Sequence, residues 1–173
     1  MTIQMFSESS ESEFDMDKNR FEALCTEVNR LINEYYPEEK PYFTSHLYGV
    51  SNYCALLALR RRLNTEIAAT SGMLHDINQI TDGFPSGGKN YHAINGAKQA
   101  RTLLHAMGCY SEKEVETIVV AISHHSDKEN THSPYDEVLK DADVLHHFLF
   151  PIDPISKHET PRYNNLMLEL GLL

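Results

Sequence analysis

Histidine and aspartate are the residues of this sequence whose types and spacing point to chemistry. The 173-residue chain contains ten histidines, and histidine is both a common metal ligand and a frequent acid–base group. One histidine–aspartate pair, His75-Asp76, ends a run of small and apolar residues. Such a dipeptide is a weak signal alone, because short motifs also occur by chance. Its meaning therefore depends on where the other histidines and a late aspartate, Asp143, are placed.

Five polar residues lie at helical spacing from apolar neighbours, on the core side of five predicted helices. An aspartate buried there is costly unless it is paired or bound to a metal. Because imidazoles and carboxylates together form the donor sets of hydrolytic metal sites, their convergence indicates a divalent cation. The five residues are His46, His75, His92, His124 and Asp143.

Seven segments show the 3.6-residue period of helices, and these must position the polar residues. Ser111 and Glu114 form a capping-box pattern at the start of the fifth segment. No two segments alternate as the strands of a hairpin do. The predicted fold class is all-α, a single-domain bundle of about six to eight helices. The segments are 15–36, 44–63, 65–77, 90–107, 111–125, 134–150 and 162–170.

Charge and composition exclude several classes of protein. Fifteen Lys and Arg against 25 Asp and Glu give a net charge of −10, which disfavours binding of long nucleic acid. No apolar run is long enough to span a membrane, and no signal peptide is recognised. Three separated cysteines without a CxxC motif suit the cytoplasm. We expect a flexible acidic leader over 1–14 and one helical domain over 15–173, and the oligomeric state is left open.

The order of the motifs resembles the HD-domain superfamily of metal-dependent phosphohydrolases. His46 is followed by Ala68-Ala-Thr-Ser-Gly-Met-Leu-His-Asp-Ile and by the late aspartate in Leu139-Lys-Asp-Ala-Asp-Val-Leu. Between them, Tyr91-His-Ala-Ile-Asn-Gly-Ala and Ala121-Ile-Ser-His-His-Ser are similar to the extended HD pattern. The resemblance covers roughly residues 42–150, and the ordered series of pieces makes it specific.

The resemblance implies an HD-like bundle with one or two divalent metal ions. A first ion would be held by His46, His75, Asp76 and Asp143. The candidate ions are manganese, iron, magnesium, cobalt, nickel and zinc.

In members with two metals, the resemblance implies that Asp76 bridges the ions. His92 and His124 would then hold the second ion, with His125 as a further candidate. The catalytic roles implied are the bridging or water-orienting carboxylate of Asp76 and a proton donor to the leaving oxygen, either His92 or His125.

The implied reaction is hydrolysis of a phosphate ester or anhydride by metal-activated water. The predicted substrate is a small phosphorylated metabolite, with a nucleotide favoured. Candidate contacts to its phosphate are Lys89, Lys98, Arg101, Lys128 and Lys140.

Two alternatives stay open, a phosphodiesterase of a signalling nucleotide and a metal- or nucleotide-binding sensor without turnover. The sequence lacks the Gly-Tyr-Pro of HD-GYP enzymes, which argues against cyclic dinucleotides. It also has His146 where many smaller HD hydrolases carry an aspartate, which leaves the substrate undecided.

Overall fold

Eight helices make up the regular structure of the described part of this chain. The computed structural model describes residues 18–35, 37–83, 90–150 and 159–173. These residues contain no strand, which confirms the all-α prediction. The predicted leader lies outside them. The helices are α1 (Lys18–Tyr35), α2 (Lys40–Arg60), α3 (Thr65–Leu74), α4 (Ile77–Asp82), α5 (Tyr91–Met107), α6 (Glu112–His124), α7 (Pro134–Leu149) and α8 (Thr160–Leu170).

The apolar faces of the helices meet in one core. The long helix α2 packs against α3 and α7, while α5 packs against α6. Helix α1 adds Leu24, Val28 and Ile32, which are fully buried and follow one another at four-residue spacing. None of the described helices has the length and apolar character needed to cross a membrane.

A glycine allows the backbones of α2 and α3 to approach closely. A Cβ atom at Gly72 would lie 2.8 Å from the Ser51 Cα atom. The Ser51 hydroxyl also donates to the Ala69 carbonyl at 2.9 Å. Because α2 carries His46 and His75 directly follows α3, this contact sets the separation of the two histidines.

Helix α2 begins earlier than the sequence predicts. The predicted segment starts at residue 44, but the helix begins at Lys40 and has a proline, Pro41, in its first turn. Proline is well suited to this position, because the first backbone N–H groups of a helix have no partner within it. Pro41 therefore helps to start α2.

A break divides the single helix predicted over 65–77. Helix α3 ends at Leu74 and α4 begins at Ile77, which leaves His75 and Asp76 between them. The Nδ1–H group of His75 donates to the Gly72 carbonyl at 2.8 Å. A continuous helix would offer that carbonyl to the Asp76 N–H group. The histidine–aspartate pair therefore lies at a junction rather than on a regular turn.

Helix α6 follows the sequence prediction closely. Ser111 and Glu114 form the capping box, with reciprocal contacts between each side chain and the other residue's backbone. The preceding helix ends at Gly108, which adopts the left-handed conformation at φ 66°. Helix α6 ends at His124, so His125 is its first residue outside the regular turns.

Candidate metal centre

Five elements bring histidine and aspartate side chains together at one end of the bundle. They are α2, the α3–α4 junction, α5, the end of α6, and α7. Two of these side chains, those of His92 and His147, are partly exposed, and the others are buried. We call this group the central cluster, and it consists of His46, His75, Asp76, His92, His125, Asp143 and His147.

One half of the central cluster is formed by His46, His75 and Asp76. The two imidazole Nε2 atoms are 3.1 Å apart, and each lies 3.4 Å from Asp76 Oδ2. Two ligands that are each about 2.1 Å from one metal lie roughly 3.0 to 3.4 Å apart. The three donor atoms therefore have the spacing of ligands to a common ion.

The other oxygen of Asp76 faces a second pair of histidines. Asp76 Oδ1 lies 3.5 Å from His125 Nε2 and 3.8 Å from His92 Nε2. The two Nε2 atoms are 3.2 Å apart. One carboxylate thus presents one oxygen to each of two histidine pairs, which is the arrangement that a bridging ligand between two ions needs.

Asp143 approaches the first half of the cluster from α7. Its Oδ1 atom lies 3.6 Å from His46 Nε2, 3.8 Å from His75 Nε2 and 3.4 Å from His147 Nε2. Its Oδ2 atom accepts a hydrogen bond from the Lys128 ammonium group at 2.5 Å. The two oxygens of Asp143 therefore have different environments, one among imidazoles and one on a lysine.

Backbone carbonyls fix the tautomers of two histidines. The Nδ1 atom of His75 donates to Gly72, and that of His125 donates to the Ile122 carbonyl at 2.7 Å. A neutral imidazole carries only one proton, so Nε2 of each ring presents a lone pair to the cluster. This is the form in which histidine binds a metal.

The pKa values of His75 and Asp76 favour the forms in which these residues bind a metal. Burial lowers the pKa of His75 to about 4, although Asp76 and Asp143 oppose this change. Burial would raise the pKa of Asp76, but nearby histidines, chiefly His75 and His125, hold it well below its usual range. Metal ligands must be neutral imidazoles and ionised carboxylates, as these are.

Two other groups have pKa values shifted by the same surroundings. Burial opposes ionisation of Asp143, but Lys128 and His147 hold its pKa well below the usual range. For His92, burial and then the neighbouring His125 lower the pKa. Asp143 is therefore an ionised carboxylate inside the bundle.

Two carboxylate oxygens in the cluster have no hydrogen-bond partner among the described residues, Asp76 Oδ1 and Asp143 Oδ1. A buried carboxylate oxygen is costly without a hydrogen bond or a cation. Asp76 Oδ1 lies 3.5 Å from the His125 Nε2 atom, whose ring uses Nδ1 to reach the Ile122 carbonyl. The donor set and its unpaired atoms fit a divalent metal ion.

A cavity of about 570 Å³ opens onto the central cluster. His46, Asp76, His92, His125, Asp143 and His147 line it, together with residues that sequence reasoning did not select. Those are neutral or acidic side chains without a spacing signal of their own: Tyr42, Gln79, Asn90, Ser126, Asp127, Glu129, Asn130 and Glu159.

Of the basic residues predicted to contact phosphate, Lys128 lies in this cavity. Lys98 contacts Asn95 on the surface of α5, and Arg101 pairs with acidic side chains of α6. Lys140 is fully buried, where it donates to Glu137 and to the Asn130 carbonyl. These three do not line the cavity. Lys89 lies outside the described residues.

His124 is not part of the central cluster. Its Nδ1 atom lies 2.7 Å from Asp136 Oδ2, and its ring stacks on His132. The adjacent His125 takes the place beside Asp76 and His92. Successive residues of a helix point about 100° apart, so only one of the two can face the cluster. His146 lies beside the cluster, with its Nδ1 atom 3.2 Å from Nδ1 of His46.

Comparison with known proteins identifies the family. Residues 43–147 match the HD domain, whereas no curated protein matches the chain significantly. The crystal structure of a predicted HD superfamily hydrolase from an uncultured Thermotogales bacterium is similar in fold, with a TM-score of 0.59 and 22% sequence identity. The alignment covers 84% of this chain and 88% of that chain. Because the HD-domain match spans more than half of the sequence and includes every residue of the central cluster, this chain belongs to the HD-domain family.

Proposed function

We propose that this protein is a metal-dependent phosphohydrolase whose substrate is a small phosphorylated metabolite, with a nucleotide as the favoured class. HD domains bind divalent metals, so family membership supports a metal-dependent hydrolase. The observation that carries the proposal is the single carboxylate of Asp76, which has a histidine pair on each oxygen.

The ligand assignment follows the two oxygens of Asp76. His46, His75 and Asp143 would hold a first ion with Asp76 Oδ2, and His92 and His125 would hold a second ion with Oδ1. When bound, divalent ions activate water as a nucleophile and compensate charge on a phosphoryl group. The carboxylates and neutral imidazoles of the central cluster suit manganese, iron, cobalt, nickel or zinc.

The substrate class is supported by the size and charge of the cavity. A volume of about 570 Å³ falls in the range of small-molecule sites. Lys128 provides a positive charge on the cavity wall, and an ammonium group binds phosphate oxygens through charge-assisted hydrogen bonds. The net charge of −10 disfavours a polyanion as substrate.

In a form with one bound ion, where His92 is not a ligand, His92 is the favoured proton donor to the leaving oxygen. It lies on the cavity wall with its Nε2 atom 3.0 Å from the Ser126 hydroxyl. His125 is less suitable, because it is more deeply buried and its Nδ1 proton is held by a carbonyl.

The proposal is tested by turnover of the full chain loaded with manganese. We expect phosphate or pyrophosphate release from at least one member of a panel of nucleoside mono-, di- and triphosphates. Asp76→Asn should lower that rate about a hundredfold or more, because it removes a charged donor shared by both histidine pairs. Asp82→Asn is the matched control, since that carboxylate is exposed and lies outside the cavity.

Equal rates for Asp76→Asn and the unmodified chain would overturn the proposal. Stoichiometric metal binding without turnover of any phosphate ester or anhydride would instead favour the sensor. Turnover restricted to a cyclic nucleotide, which is opened to the nucleoside monophosphate, or to a hyperphosphorylated nucleotide, which loses pyrophosphate, would favour the phosphodiesterase.

A further inference from the structure

His147 belongs to the central cluster but is absent from the ligand set that the HD-domain resemblance implies. It lies on α7 one turn after Asp143, with its side chain 42% exposed to the cavity. Its Nε2 atom is 3.4 Å from Asp143 Oδ1, which is the spacing of two ligands on one ion.

A carboxylate on the other side of the ring orients His147. The Nδ1–H group donates to Glu159 Oε1 at 3.0 Å. In the neutral imidazole this bond leaves the lone pair on Nε2, directed towards Asp143. A histidine held between a carboxylate and a cation is a common arrangement in metal sites, because the carboxylate fixes the tautomer and raises the basicity of the ligand.

Asp143 Oδ1 is shared by His147 and His46. The two imidazole rings are nearly parallel, at 9°, and both Nε2 atoms lie within 3.6 Å of this oxygen. The three donor atoms are all within 4.8 Å of one another. A proton can bridge only one pair of these atoms, whereas a cation between them contacts all three.

We propose that His147, oriented by Glu159, is an additional ligand of the metal ion that His46 and Asp143 hold. This inference rests on the proposed metal-dependent function and deepens it. The ion then has one position fewer for water or substrate. An added imidazole also favours a transition metal over magnesium, which prefers oxygen ligands.

The test is metal binding by the full chain after chelator treatment, measured by calorimetric titration with Mn²⁺ and Co²⁺. We expect His147→Ala to weaken the binding of one ion about tenfold to a hundredfold and Glu159→Gln to weaken it about tenfold. The visible absorption of the Co²⁺ form should change in His147→Ala, because the number of nitrogen ligands changes. His105→Ala is the matched control, since that histidine is exposed and pairs with Glu112.

Three outcomes separate this inference from the proposed function. If His147→Ala binds Mn²⁺ and Co²⁺ with unchanged affinity and its Co²⁺ form has an unchanged visible spectrum, while Asp76→Asn loses metal binding, His147 is not a ligand and the metal centre stands. If Asp76→Asn also binds normally, the metal centre itself is refuted. A fall in affinity without a change in the Co²⁺ spectrum would assign His147 an electrostatic role and overturn its role as a ligand. Thermal unfolding of each metal-free variant verifies that it is folded.

Discussion

At the scale of single residues, Lys128 joins the proposed metal centre to the proposed substrate. Its ammonium group contacts Asp143 Oδ2 from the cavity wall. We expect Lys128→Met to lower kcat/KM about tenfold to a hundredfold at saturating manganese, because hydrogen bonds to charged groups contribute about 1.5–3 kcal/mol. Steady-state kinetics with the best substrate of the nucleotide panel measures this effect.

The comparison variants for Lys128 are Lys98→Met and Lys128→Arg. Lys98 is exposed and lies outside the cavity, so its replacement should leave kcat/KM unchanged. Arginine keeps the positive charge and should restore part of the lost activity. Unchanged kcat/KM in Lys128→Met would remove Lys128 from the substrate site.

Sequence reasoning selected most members of the central cluster but could not choose between adjacent histidines. The choice between His124 and His125 depends on the rotation of α6 at its last turn, which the apolar period fixes only approximately. It also did not pair His147 with Glu159, because that contact joins distant segments. Lys140 was predicted as a phosphate contact, yet its charge is compensated inside the bundle by Glu137.

At the scale of helices, the close approach of α2 and α3 leaves no room for a side chain at Gly72. A Cβ atom at Gly72 would meet backbone atoms of Ser51 at 2.8 and 2.9 Å. We expect Gly72→Ala to lower the free energy of unfolding by about 1–3 kcal/mol, because the two helices must move apart. Urea denaturation measures the loss.

Gly96→Ala is the matched control for this substitution. It gives α5 the same gain in helix propensity, and the nearest atom to its Cβ would be the His75 carbonyl oxygen at 3.3 Å. Its loss of stability should therefore be smaller. A Gly72→Ala protein as stable as the unmodified chain would contradict the close contact.

The ends of the helices show where local sequence signals are sufficient. The capping box at Ser111 occurs as predicted, and Gly108 directly follows the predicted end of its helix at 107; both features depend on neighbouring residues. At the junction, by contrast, the His75 side chain donates a hydrogen bond to the Gly72 carbonyl, which in a continuous helix would accept from a backbone N–H group. Apolar periodicity carries no information about that competition, so the sequence predicted one helix there instead of two.

At the scale of the whole molecule, Arg20 ties three helices together. From α1 it pairs with Glu66 of α3 and, at 2.8 Å, with Glu114 of α6. It also donates to the Cys109 carbonyl at 2.9 Å. Burial opposes ionisation of Glu114, but hydrogen bonds from Arg20 and Ser111 lower its pKa to about 2.

The lowered pKa of Glu114 predicts how stability depends on pH. The stabilisation from its carboxylate is complete above pH 4.5, the ordinary pKa of glutamate, and is lost as pH falls towards 2. Glu114→Gln keeps a capping side chain but removes the ion pair. We expect it to be less stable at pH 7 by about 1 kcal/mol, because solvent partly screens the pair.

Urea denaturation of both proteins between pH 7 and pH 2.5 measures the difference. The difference in the free energy of unfolding between the unmodified chain and Glu114→Gln should become smaller as the pH falls below 4.5. If this difference in the free energy of unfolding is as large at pH 2.5 as at pH 7, the ion pair does not account for the effect of the substitution.

Helix α8 and the residue before it supply two of the contacts around the cavity, and this has a consequence for synthesis of the protein. Arg162 donates to the Lys128 carbonyl at 3.2 Å, and Glu159, which precedes α8, holds His147. Domains are made from the N-terminus onwards. A nascent chain that has reached Asp143 therefore contains six of the seven residues of the central cluster but lacks His147, the Glu159 carboxylate that orients it and the Arg162 side chain that contacts the Lys128 backbone. The cavity takes its final form only when the last helix has been made.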